Sequence, residues 1–277
     1  MNIFFSLINR MAILKLFSAW LLCAVVSACA SPHAATPARL AALLPTDVLL
    51  LGEQHDAPEH QQIHQQVIAL LAQRGLLAAV ALEMADTGVS TAQLPPDSNE
   101  QQVKKALNWN DKGWPWQAYG PAVMAAVQAG IRVVGANLPR ESMRASMADS
   151  TLDGQLPASA FKAQQQQIRV GHCNTLPDSQ ITPMTRIQIA KDIKMAETLK
   201  GATWPGKVVV LLAGSGHADR LLGVPQHLPA GLKVKAIRLR PASAAEASQA
   251  EAFDAVWVTP ALPDKDYCAT LKMQMAK

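Results

Sequence analysis

The sequence predicts an α/β fold, a mainly parallel sheet flanked by helices with an inserted helical subdomain. Three observations lead there. Five short apolar runs bounded by turn residues read as buried strands, and helical patterns alternate with them. Such alternation implies parallel βαβ units and a sheet covered on both faces. Finally, about seventy residues separate the third strand from the fourth, far more than the ~10–15 a crossover requires.

The strands are expected at Asp47–Leu51, Ala78–Leu82, Ile131–Gly135, Lys207–Leu212 and Lys233–Leu239, with a sixth at Asp254–Val258. Between the first two, Pro58–Arg74 places Ile63, Val67, Leu70 and Leu71 at helical spacing, with Gly75 as a stop. Helices are also expected at Asn99–Leu107 and Trp116–Ala129. The long gap carries helical patterns at Pro139–Met147, Pro157–Val170 and Pro183–Lys200, the inserted subdomain of about residues 139–200.

Composition narrows the class. The 277 residues are 49% hydrophobic and 17% charged, which excludes disorder, and their length suffices for a sizeable core. A net charge of +4, scattered along the chain, gives no basis for a nucleic-acid partner. No Gly-x-Ser-x-Gly elbow is present, since Gly214-Ser215-Gly216 lacks that spacing, so serine hydrolase chemistry is not expected.

The first residues read as an address. Leu16–Ala28 is uncharged and follows Arg10 and Lys15, the pattern of a secretory signal over residues 1–28, too short to span a bilayer. Val26-Ser27-Ala28-Cys29 resembles the lipobox of bacterial lipoproteins, which implies cleavage before Cys29 and lipidation of that cysteine. Ala30 follows where an inner-membrane retention signal would place Asp, so an outer-membrane anchor is expected, with residues 29–42 as a lipidated tether and 43–277 as the domain. Loss of Arg10 and Lys15 leaves a mature charge of +2. Cys173 and Cys268 then remain besides the anchor. An oxidising compartment invites a disulfide between them, the alternative being two buried free thiols.

In open α/β sheets, ligands bind beyond the carboxyl ends of the strands. Gly52-Glu53-Gln54-His55 follows the first strand, Glu83 the second, Asn137-Leu138-Pro139-Arg140 the third and Gly214-Ser215-Gly216-His217 the fourth. Two Gly-x-x-His turns and two glutamates are thus expected on one edge. Neutral imidazoles and carboxylates can together hold a divalent metal or move a proton. His55, His217, Glu53 and Glu83 are therefore candidate metal ligands, with Glu53 or Glu83 as a general base. The bland alternative is that both histidines only hydrogen-bond loop backbone. His60 and His64 are four residues apart on the first helix, a spacing that can bind metal, although a solvated face is the expected role.

These residues carry a family resemblance. GEQHDAPEHQQIHQ, ALEM, GWPWQAYGPA, GANLPR, GHC followed by PMTRIQIAKDIKMAETL, and LLAGSGHADRLLGVP resemble ChaN-type haem-binding lipoproteins of the Tiki/TraB/erythromycin-esterase group, from about Val48 to Cys268. The resemblance implies an EreA/ChaN-like fold, a role in haem or iron acquisition, a homodimer and an outer-membrane haem transport partner. Its wider relatives include metal-dependent proteases and esterases, so a metal-dependent hydrolase is the alternative. One departure stands out: Lys191-Asp192-Ile193 replaces the family's usual Arg-Asp-Ala.

Haem needs an apolar slot, an axial ligand and cations for its propionates. Tyr119, among Trp109, Trp114 and Trp116, is a candidate phenolate ligand, with a small satellite core as the other reading of the cluster. His172 in its Gly-His-Cys turn is the second candidate ligand, a polar loop histidine being the bland reading. Arg140 and Arg186 are candidate propionate partners.

Overall fold

The computed structural model describes residues 37–242 and 250–275. The signal segment, Cys29 and the first part of the tether lie outside the described residues. Six parallel strands form one sheet in the order β3-β2-β4-β1-β5-β6: β1 (Val48–Glu53), β2 (Leu77–Asp86), β3 (Val133–Asn137), β4 (Val208–Gly214), β5 (Val234–Pro241) and β6 (Ala255–Thr259). All six overlap the strands expected from sequence. Two of them, β1 and β4, are buried along their whole length, which is why they read as continuous apolar runs.

The helices are α1 (Pro37–Ala41), α2 (Pro58–Gln73), α3 (Glu100–Ala106), α4 (Trp116–Gln128), α5 (Arg140–Ala148), α6 (Ala158–Gly171), α7 (Asp178–Ala202), α8 (Ser215–Ala218) and α9 (Tyr267–Met275). None of the described helices is long and apolar enough to cross a membrane.

Successive strand residues point to opposite faces, and each face has its own core. On one, Leu49, Leu51, Val80, Leu82, Val210 and Leu212 pack with Ile63 and Val67 of α2 and Val123 and Val127 of α4. On the other, Leu50, Ala79, Ala81 and Leu211 pack with Met195, Ala196 and Leu199 of α7. Small residues on this second face let α7 lie close to the sheet.

The structure refines the expected boundaries. The end of the tether is not loose: residues 37–41 form α1, whose Leu40 is wholly buried in the first core. Helix α7 begins at Asp178 rather than Pro183 and carries that proline in its second turn. The helical insertion is not wholly apart from the sheet either. Leu138, Leu152, Leu156 and Ile189 make a small core under α5 and α6, while the later turns of α7 cover the sheet itself.

Candidate functional site

Because the strands are parallel, their carboxyl ends share one edge, and the two Gly-x-x-His turns meet there. Gly52 is required by close approach. A Cβ on it would stand 2.8 Å from Ala218 Cβ and 2.9 Å from Ser215 Cα. That contact brings the turn after β1 against the turn after β4. Gly214 faces the cleft itself, and a Cβ there would stand 2.9 Å from His55 Nε2. Beside them the β2–β3 register is irregular between Leu82 and Asp86, a break of the kind that re-aims side chains near functional sites.

Two carboxylate-centred groups result. Glu53 is almost fully buried. Its Oε1 accepts from the Tyr119 hydroxyl at 2.6 Å and lies 2.7 Å from His55 Nδ1, and its Oε2 accepts from Gln61 Nε2 at 2.7 Å. His64 Nδ1 is 3.6 Å from that second oxygen. Glu83 accepts the backbone N–H of Gly214 at 2.7 Å and lies 3.3 Å from His217 Nε2. His217 Nδ1 in turn is 2.5 Å from Asp192 Oδ1. His55 links the groups, with Nε2 3.9 Å from Glu83 Oε2.

Charge and burial set the protonation states. Burial works against the charge on Glu53, but the His55 bond and the His64 and His55 rings outweigh it, so its carboxyl stays below the ordinary range. Glu83 is likewise held ionised against burial by His217 and His55. Burial disfavours a charged His217, yet Glu83 and Asp192 push its pKa up to about 10. Burial dominates at Asp192 and raises its carboxyl to about 6 despite His217. At His55 the Glu53 bond and Glu83 overcome burial and raise the imidazole. The edge is therefore a connected network of imidazole rings and carboxylates, with His217 clasped between Glu83 and Asp192.

The structure gives the metal expectation no support. Among the described residues no group of three or more His, Cys, Asp or Glu side chains is arranged to hold a metal ion. Several of these atoms are engaged within the protein: Glu53 with His55, Tyr119 and Gln61, and Glu83 with the Gly214 N–H and His217.

Tyr119 requires a correction. It is 1% exposed, and burial together with the Glu53 charge pushes its phenol far above the ordinary range. A protonated, enclosed phenol is a hydrogen-bond donor to Glu53, not a phenolate at a ligand face. The tryptophans form its wall. Trp114 stands edge-on to Tyr119 at 5.8 Å and to His55 at 4.9 Å between ring centroids. Arg186 is also engaged, because its guanidinium holds Asp153 bidentately at 2.7 and 2.6 Å and reaches the Met147 carbonyl.

His60 and His64 do not line a solvated face. Both are wholly buried. The Gln54 N–H donates to His60 Nδ1 at 2.9 Å, and Nε2 lies 3.0 Å from Thr259 Oγ1. His60 therefore ties the β1 turn to β6. Burial, with His64 nearby, pushes it down to about 4.

His172 and Arg140 stay accessible. His172 is half-buried, follows α6 and sits beside a Cys173–Cys268 disulfide that joins its turn to α9. Tyr267, next to Cys268, bonds Asp56 and Gln54 of the β1 turn at 3.0 Å. Arg140 is exposed at the start of α5.

Sequence reasoning missed Asp192, Gln61 and Tyr267. Asp192 left a signal, a carboxylate on the apolar stripe of Ile189, Met195, Ala196 and Leu199. Gln61 and Tyr267 left none, because their partners are set by packing.

The family described as haem-binding uptake, Tiki superfamily, ChaN matches residues 39–228. Among solved structures, ChaN of Campylobacter jejuni, reported with cofacial heme binding, is 26% identical with a TM-score of 0.60, over 76% of this chain and 86% of its own. An erythromycin esterase in its open conformation is 14% identical with a TM-score of 0.43, over 72% of this chain and 71% of its own. The RRSP effector domain of a Vibrio vulnificus MARTX toxin is 15% identical with a TM-score of 0.40, over 80% of this chain and 38% of its own. No curated protein matches the chain.

Proposed function

The chain belongs to the haem-binding uptake family of the Tiki superfamily, ChaN, and on that premise we propose that it binds haem through His172 as an outer-membrane lipoprotein of iron acquisition. One observation carries the ligand assignment. His172 Nδ1 lies 2.8 Å from the Ile168 carbonyl oxygen. A carbonyl only accepts, so Nδ1 carries a proton, and in the neutral ring it is Nε2 that offers the lone pair. A backbone carbonyl fixing the tautomer and aim of a ligating histidine is the usual supporting arrangement.

The surroundings suit a flat apolar ligand. Val170 is 56% exposed and Tyr267 45% exposed, and both flank the His172 turn. Arg140 supplies a cation on the same edge for a propionate. This is an open face rather than an enclosed slot. It fits haem covered by a second protomer, in keeping with the cofacial arrangement in the Campylobacter relative. Anchored through Cys29, such a homodimer would receive haem from, or hand it to, an outer-membrane transport partner.

Hemin titration tests the reading. The wild type is expected to develop a Soret band at stoichiometric hemin and to shift toward dimer on sizing. His172→Ala is expected to alter the band, and Arg140→Gln to weaken affinity about tenfold, the effect of roughly 1.4 kcal/mol for one charge-assisted bond. An unchanged spectrum and affinity in His172→Ala would overturn the assignment.

A further inference from the structure

Opposite the candidate haem edge lies the amino edge of the sheet, about 20 Å away for strands of six residues at ~3.3 Å each. A recess of about 380 Å³ opens there, walled by Leu77, Leu94 and Val127 and rimmed by Arg132, Trp204 and Lys207. Trp204 is 65% exposed, the most exposed large apolar side chain among the described residues. Arg74 follows α2, Lys200 lies in the last turn of α7 and Lys207 precedes β4, so these cations join Arg132 at the same edge. None of the four forms an ion pair with another described residue; Arg74 and Arg132 only approach carbonyl oxygens. The nearby carboxylates are turned toward protein. Asp47 accepts the Lys233 N–H, and Asp254 accepts the Ala236 N–H and pairs with Arg220 and Lys235.

The chain also enters here. The Pro37 carbonyl, at the start of α1, lies 3.5 Å from Arg74 Nη2. Cys29 precedes Pro37 by eight residues, which at ~3.3–3.6 Å per residue reach at most about 29 Å. That is shorter than the roughly 45 Å diameter expected for a domain of this size. A lipid at Cys29 therefore keeps the point where the chain enters the domain, which lies at this edge, within about 29 Å of the bilayer.

We propose that the amino edge is a membrane-docking face. It rests on an anionic phospholipid surface, with Trp204 at headgroup depth and the four cations against lipid phosphates. The orientation rests on the lipoprotein reading of Cys29. It leaves the haem edge facing away from the bilayer, open to a second protomer or a haem-handling partner.

The test uses the full mature chain from its own membranes, placed in vesicles of phosphatidylethanolamine and phosphatidylglycerol containing lipids brominated near the headgroup. The signal is the part of the fluorescence quenching that Trp204→Phe removes. It is expected in these vesicles and weaker in phosphatidylcholine. In Arg132→Gln/Lys207→Gln the docked-to-undocked ratio is expected to fall about thirtyfold, from roughly 1 kcal/mol per cation. An anchored chain whose Trp204 is unquenched overturns the proposal. So does cross-linking from Lys207 to residues 30–36, or to a second copy, with Trp204 unquenched. Mass measurement of the amino terminus reports lipidation separately, so a chain that docks without lipid supports the face and removes only the anchor reading.

Discussion

Replacing Tyr119 with phenylalanine separates the role this hydroxyl has in the structure from the ligand role its sequence context suggests. The ring is buried against Trp109 and Trp114, and the substitution keeps its shape, so packing is preserved. What is lost is one hydrogen bond of 2.6 Å to the buried, ionised Glu53. A bond to a charged group contributes about 1.5–3 kcal/mol, and the higher end applies when the acceptor is left short of donors. Glu53 keeps Gln61 and His55, so the expected loss is about 2 kcal/mol. For a domain of this size that is a Tm lowered by roughly 4–8 °C. Urea unfolding gives the free energy, and hemin titration of the same protein gives the Soret band. The expected result is a clearly destabilised protein that binds hemin with an unchanged spectrum. A protein of unchanged stability that no longer gives the Soret band would refute the reasoning and restore Tyr119 as the ligand.

Acid should weaken the fold partly through His60, which is neutral when folded with a pKa of about 4 against an ordinary 6.5. Below pH 6.5 the unfolded chain takes up a proton that the folded one refuses. Its stabilisation, full above 6.5, is therefore lost as pH falls toward 4, by roughly 3 kcal/mol. Urea midpoints against pH should show a flatter slope between those values in His60→Asn, and an identical slope would contradict the buried neutral ring. Removing the Cys173–Cys268 bridge, which spans 95 residues, should cost about 2–4 kcal/mol. In Cys173→Ser/Cys268→Ser it should also free α9, raising amide exchange near Tyr267; unchanged exchange there would show that other contacts hold the helix.

Much of the fold was legible in the chain. Six strands are legible because a parallel sheet buries both faces and so writes uninterrupted apolar runs. The start of α7 is not legible, because a proline signals a helix beginning and Pro183 sits in the second turn instead. The meeting of the two Gly-x-x-His turns was also legible, since parallel strands put their carboxyl ends on one edge whatever the packing. The chemistry at that edge was less so. Residue type marks Glu53, His55, Glu83 and His217 as candidate ligands, but which of their atoms engage one another is set by packing.

By itself, then, the sequence determined the layered α/β architecture, the family and the edge on which functional side chains gather. These follow from periodicity and motif order, which are local properties of the chain. Tertiary structure alone decided that Tyr119 is enclosed beneath Trp114, that Asp192 reaches His217 from a helix 25 residues earlier, and that Arg186 already holds Asp153. Burial and the supply of hydrogen-bond partners are set by residues distant in sequence. The same tyrosine, histidine or arginine can therefore be ligand, brace or spare charge until its neighbours are in place.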